Sequence, residues 1–320
     1  MQAAPVAVEP VLLYNPHIQM PDIHYSFCPV CQSDNLQHVF NVKDYTVSGK
    51  EFEIVHCNAC TARFTQDVPG LDDIGLYYKS EDYISHTNTS KGLINQLYQR
   101  VRVRTMRQKA AIIKRHTGLK NGKLLDIGCG TGTFLHTMQE QGWEVAGLEP
   151  DADARAIGKE QYGINARPSH ELFSLPPQSF NAITLWHVLE HVHTLHEYVA
   201  QIKTLLATDG YLFIAVPNYT AKDAKVYGTY WAGYDVPRHL YHFSPRAMET
   251  LIQQHGLEID EMLPMWFDSF YVDMLSSKYK GGKVNYVSAG LHGLASNINA
   301  MGNTKECCSV IYVIKNKTTA

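Results

Sequence analysis

The stretch that most constrains this chain is Leu124-Leu125-Asp126-Ile127-Gly128-Cys129-Gly130-Thr131-Gly132-Thr133-Phe134-Leu135. An apolar run ends in an acid, and three glycines at alternate positions lead directly into a helical pattern. A second apolar run, Trp143 to Leu148, ends in Glu149, 23 residues after Asp126. Glycines let a bound group approach the backbone where a side chain would collide, and an acid closing the next strand suits the diol of a ribose. The spacing is Gly-x-Gly-x-Gly, distinct from the Gly-x-Gly-x-x-Gly of dinucleotide sites. A tight strand-to-helix turn accounts for one glycine. Three glycines with two strand-terminal acids point to a nucleotide-type cofactor.

At 320 residues the chain can hold one large core and a small accessory module. Its net charge of −3 argues against a generally nucleic-acid-binding surface, and no apolar run has the length of a transmembrane segment. The N-terminus lacks a basic region and is interrupted by Glu9, so no signal peptide is expected and the cytoplasm is the expected location. In that reducing compartment Cys28-x-x-Cys31 and Cys57-x-x-Cys60, with 25 residues between the pairs, point to metal rather than to disulfides. Four thiolates in a zinc-ribbon layout suit a closed, tetrahedral, structural zinc, which can stabilise a module too small to bury its own core. Residues 26–70 set Lys43, Lys50 and Arg63 against Asp34, Asp44, Glu51, Glu53 and Asp67. That is a poor phosphate footprint, so no stable nucleic-acid partner is expected.

Composition divides the chain into an irregular, proline-studded arm (1–25), the cysteine module (26–70), a connector rich in Asp, Gly, Tyr and Ser (71–90), and an α/β domain (91–320). A long amphipathic helix is expected at 91–117. It carries Arg100, Arg102, Arg104, Arg107, Lys109, Lys114 and Arg115, read either as a solvated face or as a contact for an anionic acceptor or a membrane surface. Strands are expected at 123–127, 143–149, 164–166, 182–186, 210–216, 257–263 and 309–315, alternating with helices, one of them capped by Asp151. This alternation predicts a Rossmann-like, doubly wound, mostly parallel seven-stranded sheet, with a helical insertion at 268–300 before its last strand. Nothing in the sequence sets the oligomeric state.

These residues resemble the class I S-adenosylmethionine-dependent methyltransferases, over about 90–320 of the chain. Asp126, Gly128, Gly130 and Gly132 match the family's first motif, and Glu149 matches the acid that accepts hydrogen bonds from the ribose hydroxyls. The resemblance implies S-adenosylmethionine as cofactor. Trp186-His187-Val188-Leu189-Glu190-His191-Val192 follows the fourth expected strand, at the carboxyl end of the sheet, where open α/β sheets bind ligands. It is similar to the LEHV element of ubiquinone-pathway O-methyltransferases, and Trp186 joins the expected cofactor contacts. Some of those enzymes carry a Glu-x-x-Glu-His set linked to a divalent metal; here His187 stands first, with Glu190 and His191 in the other two places. His187 and His191 are candidate catalytic bases, since histidine titrates at about pH 6.5. The alternative is that Glu190 and His191 form a helix-start pair that shapes the pocket. For the adenine, Glu171 and His170 are candidates, and a plain surface loop is an equally good reading.

Tyr227 to Ser244 is the densest polar-aromatic stretch. It is similar to the W-x-x-x-D-x-P-R-H-x-x-H-F segment of bacterial type 23 methyltransferases, and aromatic walls with a few aimed polar groups describe a small-molecule site. Arg238, His239 and His242 are candidates to orient or deprotonate an acceptor; alternatively Asp235 and Arg238 pair to fix the loop. The resemblance implies methyl transfer to an oxygen or carbon of a small-molecule acceptor such as a sugar, lipid or quinone-type intermediate. The alternatives are an RNA or protein methyltransferase docking through the ribbon, and a non-catalytic cofactor-binding scaffold.

Overall fold

A computed structural model of the chain describes residues 22–78 and 93–317. The expected arm up to position 21, the connector from position 79 to 90, the start of the long helix at Lys91 and the side chain of Arg100 lie outside the described residues. In chain order, β1 (Leu36–Lys43), β2 (Glu51–Cys57) and β3 (Arg63–Thr65) precede the long helix α1 (Leu93–Thr117). Alternating units follow: β4 (Lys123–Ile127), α2 (Thr133–Gln139), β5 (Glu144–Leu148), α3 (Ala152–Tyr162), β6 (Phe180–Trp186), α4 (Leu195–Leu205) and β7 (Leu206–Pro217). Then come α5 (Lys222–Tyr227), the two-residue β8 (Tyr241–His242), α6 (Pro245–Gln254), β9 (Leu257–Pro264), the helical pair α7 (Asp268–Gly281) and α8 (Tyr286–Gly302), and β10 (Ser309–Asn316).

The larger sheet has the order β5-β4-β6-β7-β10-β9. Its first four strands are parallel, and β10 runs antiparallel to both β7 and β9. The run Val310-Ile311-Tyr312-Val313-Ile314 is buried throughout, as an interior strand covered on both faces requires. Asp151 caps α3 as expected, its side chain accepting from the N–H groups of Asp153 and Ala154. Among the described residues the sheet has six strands rather than the expected seven, because 164–166 forms no strand. Arg167 alone bridges Leu148, donating its N–H to Gly147 O and accepting from Glu149 N, both at 2.9 Å. Gly163 has only just closed α3, and after Pro168 the chain turns into a 3-10 helix at Ser169–Ser174, so no room is left for a ladder.

The smaller sheet has the order β1-β2-β3-β8. Its fourth strand comes from the polar-aromatic loop, with Arg63 opposite His242 and Phe64 opposite Tyr241. The cysteine module therefore shares a sheet with the α/β part of the chain, and Cys28, Val55 and Phe64 share an apolar cluster with Leu189, Leu240 and Tyr241. Two equivalent turns bring the cysteines together. Gln32 and Thr61 each take a positive φ just after a Cys-x-x-Cys pair and donate their N–H to the carbonyls of Cys28 and Cys57. The sulfurs of Cys28 and Cys60 stand 3.6 Å apart, and those of Cys31 and Cys57 stand 3.5 Å apart.

Arg238 holds module and loop together. Its guanidinium is 1% exposed and donates to both carboxylate oxygens of Asp235 (2.6 and 3.0 Å), to Asp44 Oδ1 (3.2 Å) and to Tyr77 O (2.9 Å). Burial pushes the Asp44 carboxyl up, but hydrogen bonds from Ser48 and Thr46, together with the charge of Arg238, hold it at about 2. Removing one partner of such a set leaves buried charges uncompensated. Arg238→Leu should cost about 3–5 kcal/mol, read from denaturant unfolding; an unchanged midpoint would show that the guanidinium is not what joins the two parts.

A second buried carboxyl lies on α7. Asp273 is fully buried and neither of its oxygens has a hydrogen-bond partner. Burial first, then the neighbouring Asp223, pushes it up to about 8. The folded chain thus keeps a proton that the unfolded chain releases near pH 4, which stabilises the fold at low pH and is lost as pH rises through about 8. Asp273→Asn should leave stability unchanged near pH 4 and raise it near pH 9 by on the order of 1–3 kcal/mol, measured as thermal midpoints across that range.

Candidate active site

The carboxyl edge of β4 delivers the glycine loop. Gly128, Gly130 and Gly132 take φ values of 70°, 53° and 73°, the left-handed region that favours glycine. A Cβ on Gly128 would lie 2.4 Å from Val188 Cγ2, so the turn after β6 packs directly on the loop backbone there. A Cβ on Gly130 would meet no heavy atom within 4 Å. Beside that open backbone sits Glu149, whose Oε2 accepts from Gly130 N at 2.7 Å and whose Oε1 accepts from Asp151 N at 3.0 Å. Burial pushes this carboxyl up, opposed by the two N–H groups. Each oxygen retains acceptor capacity for a hydroxyl donor.

Asp126 lies behind the loop, 2% exposed, and accepts from Thr184 Oγ1 at 2.6 Å. Burial raises it to about 7, opposed by Thr184 and by the charge of Lys109. Lys109 departs from the solvated face expected of its helix. It is buried, with its ammonium 4.2 Å from the centre of the Trp186 ring. Burial lowers it to about 8 against the pull of Asp126 and Asp268. The available sequence signal is periodicity: Lys109 falls four residues before the buried Ile113, on the apolar stripe. Arg104, Arg107 and Arg115 are exposed, and Arg102 donates to Thr133 Oγ1 at 2.7 Å. Trp186 stands edge-on to Phe134, with ring centres 5.7 Å apart.

His187 follows β6 in the left-handed region, at φ 59°, an uncommon and strained conformation for a side chain of this kind. Its N–H donates to Ala215 O at 2.9 Å. The ring lies between two carboxylates, Nδ1 3.3 Å from Glu190 Oε1 and Nε2 3.7 Å from Asp268 Oδ2. Burial works against its charged form, but Asp268 and Glu190 outweigh it and raise the His187 pKa. Glu190 is wholly buried and neither carboxylate oxygen accepts a hydrogen bond. Burial would raise its pKa, yet His187 beside it holds it below the usual carboxylate range.

The loop brings His239 to this pair. His191 Nδ1 lies 2.9 Å from Arg238 O, and His239 Nδ1 lies 2.9 Å from Gly233 O. A carbonyl only accepts, so each ring carries a proton on Nδ1, and in its neutral form offers a lone pair on Nε2. Burial, then His239, lowers His191 to about 4, so it is neutral. One donor atom each from Glu190, His191 and His239 lies within 4.8 Å of the others. Two imidazoles, each with a backbone carbonyl at Nδ1, and a carboxylate form a donor set suited to a divalent ion.

The structure thus groups Glu190 and His191 with His239 and sets His187 between Glu190 and Asp268. His242 has another place: it is buried in β8 with Nε2 3.1 Å from Thr65 Oγ1, a part of the joint between module and loop. Asp235 and Arg238 pair and fix the loop. Glu171 pairs with Arg167 at 3.3 Å, and His170 is exposed beside it. Lys109, Thr184 and Asp268 join the site without having been singled out by a motif.

Among similar proteins, a ubiquinone biosynthesis O-methyltransferase of Glaesserella parasuis is 33% identical over 124 residues, 35% of this chain and 52% of the relative. Another, from Nitrosococcus oceani, is 28% identical over 194 residues, 56% of this chain and 80% of the relative. The chain spans about half the length of the first of these. A Burkholderia thailandensis 1,6-didemethyltoxoflavin-N1-methyltransferase structure, with bound 1,6-didemethyltoxoflavin and S-adenosylhomocysteine, aligns with 86% of this chain and 100% of its own at 15% identity and a TM-score of 0.48, a likeness too distant to bear on substrate. A family model described as a methyltransferase domain matches residues 98–262, more than half of the chain, and the chain belongs to that family.

Proposed function

We propose that the chain is an S-adenosylmethionine-dependent methyltransferase acting on an oxygen or carbon of a small-molecule acceptor. The observation that carries this reading is the open, left-handed backbone at Gly130 facing the oriented carboxylate of Glu149. S-adenosylmethionine, when bound, supplies an electrophilic methyl group on a sulfonium leaving group. Glu149 would receive the ribose hydroxyls, and Trp186, braced by Phe134, would wall the site. Transfer is an in-line displacement, so orientation of the acceptor does most of the work. His187, biased toward its charged form by Asp268 and Glu190, holds a proton between those two carboxylates. The named ubiquinone biosynthesis O-methyltransferase relatives favour an oxygen; the acceptor we propose is a quinone-type, sugar or lipid intermediate.

Two metal sets fit the residues present. Cys28, Cys31, Cys57 and Cys60 would hold a structural zinc: sulfur separations of 3.6 and 3.5 Å approach the edge of about 3.8 Å of a tetrahedron with bonds of about 2.3 Å. We place the protein in the cytoplasm, where thiolates stay reduced. Glu190, His191 and His239 would hold a divalent cation, which polarises an acceptor hydroxyl.

Calorimetric titration with S-adenosylmethionine should show binding that Gly130→Arg abolishes and Glu149→Gln weakens about ten- to hundredfold, the equivalent of about 1.5–3 kcal/mol. Undiminished binding in both variants sinks the cofactor site. Methyl-labelled cofactor added to cell extract should mark small molecules; label confined to RNA or protein contradicts the acceptor class. Metal analysis should return about one zinc per chain, lost in Cys28→Ser. Manganese should bind separately, by its electron-spin signal, and be lost in His239→Ala. A folded chain that takes up neither metal contradicts both assignments.

A further inference from the structure

Helix α8 is inverted for a water-exposed element. The residues it turns toward the body are small: Gly293, Ser296 and Ala300 are buried, and a Cβ on Gly293 would come within 2.8 Å of the Phe270 ring. The large apolar side chains point outward. Leu291 is 64% exposed, Leu294 52%, Ile298 56% and Met301 73%. Their spacing of three, four and three residues puts them on one face, and Tyr286, 61% exposed, stands at its start. Soluble proteins bury such a face unless a partner covers it.

The charges around the face indicate the partner. α8 itself contains no Asp, Glu, Lys or Arg, and between Asp273 and Glu306 the chain carries Lys278, Lys280, Lys283 and Lys305 with no acid. Lys280 and Lys283 are exposed in and beside the turn that joins α7 to α8, and Lys305 is exposed beyond the far end. In a chain of net charge −3, this is a local concentration of positive charge. Lys280, Lys283 and Tyr286 also line an open concavity of about 670 Å³ at the turn.

We propose that this face docks on an anionic lipid bilayer. α8 lies in the plane of the surface with Leu291, Leu294, Ile298 and Met301 at the acyl boundary, the lysines meet headgroup phosphates, and the concavity at the turn receives one headgroup. Apolar burial and attraction to anionic lipid act together in such interfacial helices. A second copy of this chain is a poorer occupant: lysines sit at both ends of the helix, so parallel or antiparallel pairing through α8 sets like charges against each other. Among the described residues no helix is long and apolar enough to cross a membrane, so the contact is with the surface.

Co-sedimentation of the full, zinc-loaded chain with vesicles tests this without any methyl transfer, so its outcome is separable from that of the enzymatic reading. Vesicles of phosphatidylcholine with phosphatidylglycerol should retain the chain, less so as salt rises, and pure phosphatidylcholine should not. The double substitution Leu294→Glu with Ile298→Glu should abolish retention. Lys280→Gln with Lys283→Gln should weaken it about twentyfold or more, about fivefold for each lysine. Thermal unfolding of each variant without lipid shows whether it is folded, which these exposed positions permit. Absence of binding to the mixed vesicles, or binding that survives Leu294→Glu with Ile298→Glu, overturns the proposal. A dimer in sedimentation equilibrium that the same pair dissolves assigns the face to a second copy and equally overturns it.

Discussion

Arg238 sets a positive charge between the buried carboxylate of Asp44, from the turn after β1, and the half-buried carboxylate of Asp235, from the polar-aromatic loop, and the arrangement of the candidate active site follows from it. Only a planar, multi-donor cation can serve both carboxylates and the carbonyl of Tyr77 at once. With Arg238 fixed, its own carbonyl fixes His191, and the next residue, His239, is carried into the same cluster. The strand pairing at Tyr241–His242 and the hydrogen bond from Thr65 Oγ1 to His239 O secure the far side of the loop. The cysteine module therefore acts on the chemistry indirectly, by holding the loop that completes the site.

The opposite wall is set by local backbone geometry. The glycine loop, the oriented Glu149 and the strained His187 all lie at the carboxyl edges of β4, β5 and β6, where parallel strands leave room for a ligand. Between the walls runs a series of buried and half-buried ionisable groups with displaced titration: Lys109, Asp126, His187 and Glu190. Buried charge on this scale is weak evidence for stability. Displaced titration in a cleft is the usual mark of a functional site, and two acceptor groups of Glu190 left without donors fit that reading better than a structural one.

What could be read from the sequence was what is encoded locally. The glycine spacing, the acids ending β4 and β5, the cap at Asp151 and the two Cys-x-x-Cys turns each depend on a few consecutive residues, and each appears where expected. The contacts that were hidden join distant positions. Arg238 meets Asp44 across 194 residues, and His242 meets Thr65 across 177; no local pattern signals either. A two-residue strand such as β8 leaves no periodicity to detect. Lys109 was hidden for a different reason: charge on a basic helix suggests solvent, and only its position on the apolar stripe argued otherwise. The absent seventh strand was a matter of chain length, since Gly163 and Pro168 leave the intervening residues room for a single bridge.

The assignment of the active site depends on where the cofactor sits. A crystal structure of the zinc-loaded chain with S-adenosylhomocysteine should place the amino-acid part of the ligand over Gly130 and its ribose hydroxyls on the Glu149 carboxylate, with the homocysteine sulfur facing His187 and the His191–His239 pair. A ligand bound elsewhere, or one that leaves Glu149 turned to the backbone with no ribose contact, would contradict it.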